Sequence, residues 1–485
     1  MSSEEESKAL QKQASCGLLT SQVFPPSRTV RHSTMASITT TCAWHTLPNE
    51  MKLAVVENLD SNDAKAFSKV DQRTYAICVP TLFTNVKLGS LEQLQSFLDN
   101  VPRGYRHHVQ ELDLCTQPKD RTNQEFTSYH ASRAQTDAII SLLIACPRLT
   151  KLALRMAGSL DKSIITPFAY LPELRQLTIT NCSDEEQFPL SERLVVSIAA
   201  TIPGLEQLSL DKISRSKMHA PELEGVYPYV PLVFGDDDIP DHPILGSELS
   251  LPSLLRIPTL RKLIIRDTHL GDARWATTSV ACRLEVLDLG SCYHENEDFN
   301  RVCTERIMAA VGPTIDEFSL TTSVSDTVFA EPNVTPLPRL RKLHISPFFP
   351  VDSVVDTMSN MAGSPIETLS MQCYEEDIVD VCAALEDFLS LRVERGPEFY
   401  DKLKQIDVAV TASDHLSHDD EEDEERVEAT KRLQEFCRDL RLSSVVGKAS
   451  SESTLAHGPS PLGPSRTSSI PNLDKLVHER AILPN

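Results

Sequence analysis

The chain has 485 residues, 40% of them hydrophobic and 24% charged, enough for a sizeable core and more than one domain. Its formal net charge of −22 argues against nucleic acid and anionic membrane as partners, since both select basic surfaces. The apolar runs 138–146 and 194–202 are too short to span a bilayer, and the opening MSSEEES lacks a basic-then-apolar secretory pattern. The 12 cysteines are therefore expected as reduced thiols in a cytoplasmic or nuclear protein.

Residues 1–41 are rich in Ser, Thr and Gln and are expected to form a disordered leader. Residues 42–90 read as a small helical module. Pro48 suits a first helical turn and Glu50 favours the positive helix end. Leu47, Met51, Val55 and Leu59 lie four apart and make an apolar stripe. Ser61, Asn62 and Asp63 supply N-cap chemistry for a second helix, with Phe67 and Val70 on its inner side. A third helix, Thr74–Val79, is predicted to stop at Pro80. Three short helices in about forty residues make a poor core alone and need a partner to cover apolar surface.

This segment resembles the F-box. The resemblance rests on Leu47-Pro48-x-Glu50-Met51, the Leu59-Asp60 turn, Phe67-x-x-Val70 and the exit from Tyr75 to Leu82-Phe83. It implies docking on the Skp-type adaptor of cullin-RING ubiquitin ligases. The adaptor-binding residues would be Leu47, Pro48, Glu50, Met51, Val55, Leu59, Phe67, Val70 and Tyr75.

From 91 to 412 a template of apolar-x-x-apolar-x-apolar recurs ten times, starting at positions 109, 149, 174, 205, 260, 284, 315, 340, 366 and 403. Proline stands two residues before six of these copies, at Pro147, Pro172, Pro203, Pro258, Pro313 and Pro338. Each unit then reads as helix, proline break and short strand. Cys182 and Cys292 fall eight residues after the first leucine of their copies. The pattern resembles degenerate leucine-rich repeats. The expected fold class is α/β, an irregular solenoid with parallel strands on the concave face and helices or loops outside. With the F-box, the chain resembles a fungal-type F-box and leucine-rich-repeat family.

The pattern lapses over 213–256, which carries prolines, glycines and three consecutive aspartates; an outward-thrust loop is expected, a binding surface or a variable insertion. Residues 413–442, with seven acids at Asp419–Glu425, read as an acidic capping helix. The Ser/Pro tail 443–485 is expected to be disordered.

Leucines of the template point inward, and the residues between them face out. Lys151, Arg155, Lys262, Arg266, Lys342 and His344 are thereby candidates for a positive strip that binds an acidic or phosphorylated protein substrate. No phosphate-cradling glycine loop or nucleophile elbow occurs, and there is no Cys-x-x-Cys pair. Cys282, Cys292, His294 and Cys303 match no zinc-ligand spacing, so neither metal nor cofactor is expected. The reading is a non-enzymatic substrate-recognition adaptor of an SCF-type ligase. The alternative is a repeat scaffold without ligase association.

Overall fold

The computed structural model describes residues 43–116, 130–226, 229–290, 297–324, 337–347, 349–374, 377–411 and 431. The leader, the tail and the expected capping helix, apart from Lys431, lie outside them. By compactness the chain divides between Val55 and Val56.

The first unit holds α1 (Ala43–Thr46) and most of α2 (Asn49–Glu57). The Pro48 carbonyl accepts from Lys52 N at 3.1 Å, so the residue lacking an N–H sits where none is needed. Met51 and Val55 are 54% and 45% exposed.

The second unit opens with α3 (Ser61–Phe67) and α4 (Gln72–Leu82). Each is capped by an aspartate. Asp60 Oδ1 accepts from the N–H groups of Asn62 and Asp63, and Asp71 Oδ1 from those of Arg73 and Thr74, at 2.7–2.8 Å. The cap therefore lies one residue before the predicted Ser61–Asp63. Pro80 does not stop α4, which runs on to Leu82. The proline falls in the last turns, where it removes one backbone bond, and Thr84 Oγ1 donates to its carbonyl at 2.7 Å. Val70 is not on an inner face. It follows the end of α3 in a turn closed by Val70 N and Phe67 O, and is 62% exposed.

Thirteen strands follow among the described residues: β1 (Asn85–Leu88), β2 (Glu111–Cys115), β3 (Lys151–Met156), β4 (Gln176–Asn181), β5 (Gln207–Asp211), β6 (Arg215–Ser216), β7 (Leu232–Val233), β8 (Lys262–Arg266), β9 (Val286–Leu289), β10 (Glu317–Leu320), β11 (Lys342–Ile345), β12 (Thr368–Tyr374) and β13 (Gln405–Thr411). Eleven form one parallel sheet in chain order, while β6 and β7 pair separately. All ten template copies are strands of the large sheet. The eleventh, β1, lies inside the range expected to be helical module, so the sheet begins at Asn85 rather than after residue 90.

Parallel strands need a return path, and among the described residues most crossovers carry helices as cover. These are α5 (Leu91–Asn100), α6 (Arg103–Arg106), α7 (His130–Ala145), α8 (Ile165–Phe168), α9 (Glu192–Thr201), α10 (Glu297–Val311), α11 (Val354–Asn360) and α12 (Ile378–Arg395). A 3₁₀ turn at Leu251–Arg256 takes the place of a helix before β8. Register is continuous: Leu208, Leu263, Leu287, Phe318, Leu343, Leu369 and Ile406 form one row of Cα partners. Every member is buried, and with Leu194, Ile307, Met358 and Leu385 of the helices they belong to one core. This is a leucine-rich-repeat-like solenoid of α/β class.

Pro147, Pro203 and Pro313 each stand two residues past the end of a helix, α7, α9 and α10, as expected. Pro172, Pro258 and Pro338 each occupy the second position of a turn, closed by Leu174 N to Leu171 O, Leu260 N to Ile257 O and Leu340 N to Leu337 O, all at 3.2 Å. The fixed proline φ suits that position. The chain leaves the turn with its next leucine already aimed into the core.

The segment 213–256 is not thrust outward. It folds back over α9, whose residues Glu192–Ala199 are all buried. A helix reading Leu-Val-Val-Ser-Ile-Ala-Ala is apolar nearly all round and must be covered on both sides. The sheet takes one side and the insertion the other, through β6 and the Leu251–Arg256 turn.

Candidate functional site

The sheet alternates buried and half-exposed positions, as in β3, so its solvent-facing side is a grid of side chains at strand spacing. Lys151, Lys262 and Lys342 occupy one register row, on the third, sixth and ninth strands of the sheet. Arg155 and Arg266 share another row, separated by Thr180 and Asp211. The structure thus brings five of the six predicted residues into two lines, with His344 in a third beside Ser319, but acids are interleaved with them.

Arg155 bonds Asp113 at 3.0 Å, and Arg266 bonds Asp288 at 2.7 Å. Lys342 and His344 both reach Glu317, at 3.4 and 3.1 Å. The His344 bond, opposed by burial, holds the Glu317 carboxyl at about 2, below the ordinary carboxylate range. Four of the six predicted residues are therefore already bonded to acids within the sheet. Lys151 and Lys262 make no ion pair among the described residues. They stand three strands apart, about 14 Å at the usual strand spacing.

Asp211, on the same side, is perturbed in the opposite direction to Glu317. Burial, then Asp267, raises it to about 6, and its Oδ1 is buried without a hydrogen-bond partner. The neighbouring Lys212 and Asp267 have φ of 56° and 45°, in the left-handed region that non-glycine residues seldom occupy. The backbone is bent sharply where the chain leaves β5 and β8.

A second cluster was not foreseen from the sequence. Arg215 Nε donates to Glu192 Oε2 at 3.0 Å, and Arg215 Nη2 to Asp272 Oδ2 at 2.8 Å, with both Arg215 and Glu192 almost fully buried. Ser191 and Ser216 donate to Asp236 at 2.6 and 2.8 Å. The Arg193 guanidinium donates to the carbonyls of Asp236, Ile239 and Ser247. Burial opposes ionisation of Glu192, but Arg215 and the His219 and Ser216 bonds outweigh it and hold the carboxyl well below its ordinary range. Burial likewise opposes the Arg215 charge, and Glu192 and Asp272 overcome that and raise it. The only sequence signal was indirect: Glu192 and Arg193 open a helix too apolar to have a free outer face.

The F-box-like residues divide by exposure. Pro48, Glu50, Met51, Val55 and Val70 are exposed, whereas Leu47, Leu59, Phe67 and Tyr75 are half-buried. The Tyr75 ring lies 6.3 Å from that of Tyr105. Cys282 and Cys303 are buried free thiols, while Cys292 and His294 lie outside the described residues. Cys182 Sγ donates to Met156 O at 3.0 Å, beside the Asn181 side chain, which accepts from Gly158 N and Ser183 N. That is a structural role at the turn leaving β4. Among the described residues no three metal-ligating side chains come together, and no helix is long and apolar enough to cross a membrane.

No family model matches the chain, and no curated protein matches it. Among solved structures it is similar to the leucine-rich repeat-containing protein LegL7 from Legionella pneumophila. The identity is 12%, over 71% of this chain and 97% of that one, with a TM-score of 0.30. So distant a likeness carries no weight beside the strand ladder, on which the assignment of a leucine-rich-repeat-like solenoid rests.

Proposed function

We propose that this chain is a non-enzymatic substrate-recognition adaptor of a cullin-RING ligase of the SCF type, working in the cytoplasm or nucleus. The segment led by Leu47-Pro48-x-Glu50-Met51 would dock on a Skp-type adaptor, and the solvent-facing side of the sheet would hold a protein substrate. The observation that carries the reading is the exposure of Met51 and Val55, at 54% and 45%, on α2 within F-box-like sequence. Apolar side chains left at that exposure are what a partner helix covers. The substrate would be acidic or phosphorylated, held by Lys151 and Lys262, the two strip cations with no acid of their own.

The test is direct titration of the purified chain with a purified Skp-type adaptor. A saturable one-to-one complex is expected. Met51→Asp with Val55→Asp should weaken it by about 2 kcal/mol or more, the loss typical of central apolar contacts. Absence of any complex with the wild-type chain would leave a repeat scaffold without ligase association.

A further inference from the structure

We propose that the outer surface of the segment 213–256 is a docking site for a basic peptide segment that carries a bulky apolar side chain. The segment is a built platform, because the buried Glu192–Arg215–Asp272 pairs and the serine bonds to Asp236 fix it to α9. Its surface holds a cavity of about 410 Å³, lined among others by Met218, Pro221, Val233 and Phe234. Met218 and Phe234 are 54% and 60% exposed, although the segment beneath them is packed. A cavity walled by such side chains accepts an apolar group.

The charge around it selects the rest of the partner. Between residues 217 and 248, Lys217 is the sole Lys or Arg against seven carboxylates. Of these, Glu222, Asp237, Asp241 and Glu248 are exposed and make no ion pair among the described residues. The chain itself shows how a cation is taken. The Lys217 ammonium lies 4.9 Å from the centroid of the Phe234 ring and bonds Glu224 at 2.9 Å. An aromatic face plus a carboxylate is a pairing that also suits an incoming Arg or Lys. A basic segment complements the remaining acids, and its apolar side chain fills the cavity. This site is independent of adaptor docking and of the sheet-face cations.

The experiment uses the full chain and a fluorescent peptide of Arg, Lys and Gly around one Phe, read by anisotropy. The wild type should bind, and the same peptide with Glu in place of Arg and Lys should not. Phe234→Ser with Met218→Ser should weaken binding by about tenfold or more. Asp237→Asn with Asp241→Asn should weaken it too and flatten its salt dependence. Lys262→Glu should leave it unchanged. The proposal is overturned if the wild type does not bind, if both variants bind as wild type, or if the Glu peptide binds equally. It is also overturned if the peptide-free chain self-associates in sedimentation and Phe234→Ser abolishes that, since the occupant would then be a second copy.

Discussion

Asp211 illustrates how one residue on the sheet stores a pH dependence. Its carboxyl is raised to about 6 by burial and by Asp267, with Glu185 adding to this and Lys212 and Arg266 opposing it. In the unfolded chain an aspartate titrates near 3.9. A carboxyl raised on folding favours the native state fully below its unfolded value. That contribution is lost as pH rises through the folded value. Asp211→Asn should therefore raise the melting temperature at about pH 8 and leave it unchanged at about pH 3.5, measured by calorimetry. An equal shift at both pH values would mean that the cause is packing rather than charge. Glu317 works in the opposite direction. Its depressed carboxyl, tied to His344 and Lys342, contributes stability above the unfolded value, and this fades as pH falls toward about 2. Neither residue differs in sequence from any other acid on a strand. Their titration is set by which strands lie alongside, and residue type alone does not carry that information.

At the scale of elements, much of the architecture was legible because the physics is local. Apolar residues at i, i+3 and i+5 specify a strand, and all ten copies form one; Pro172, Pro258 and Pro338 add a turn before theirs. The same template reads Phe83-x-x-Val86-x-Leu88, and β1 pairs with β2 in register, so the missed eleventh strand had a local signal, masked by its place beside the helical segment. What was not legible is long-range. Residues just before several strand cores form ion pairs between neighbours: Arg175 with Glu206, Arg261 with Glu285, and Glu367 with both Arg341 and Lys404. Each of these pairs joins neighbouring repeats and disfavours a slip in their order. The insertion's fold is equally non-local, since Arg215 finds Glu192 and Asp272 across 23 and 57 residues of sequence. Removing Arg215 leaves the buried Glu192 carboxylate without its arginine partner, while Asp272 keeps Arg274 at 2.8 Å. Arg215→Ala should therefore cost about 3–5 kcal/mol in urea unfolding. It should also expose 213–256 to protease before the rest of the sheet opens. A loss within experimental error would show that the insertion is held by its apolar contacts alone.

For the whole molecule, an acidic chain devotes its repeats to a ladder whose inner residues are almost all apolar and whose outer residues are almost all polar. Stability and recognition are therefore separable, because a substitution on the solvent-facing side leaves the leucine rows intact. The exposed apolar residues Met51 and Val55 of α2 and the candidate lysines Lys151 and Lys262 of the sheet offer different chemistry. The central claim is that these two sets of residues bind different partners, and quantitative affinity purification from proteasome-blocked cells tests it most directly. The account predicts that Met51→Asp with Val55→Asp loses the Skp-type adaptor and keeps the acidic or phosphorylated clients. It predicts that Lys151→Glu with Lys262→Glu loses the clients and keeps the adaptor. Loss of both partners in both variants, or of neither in either, would contradict it.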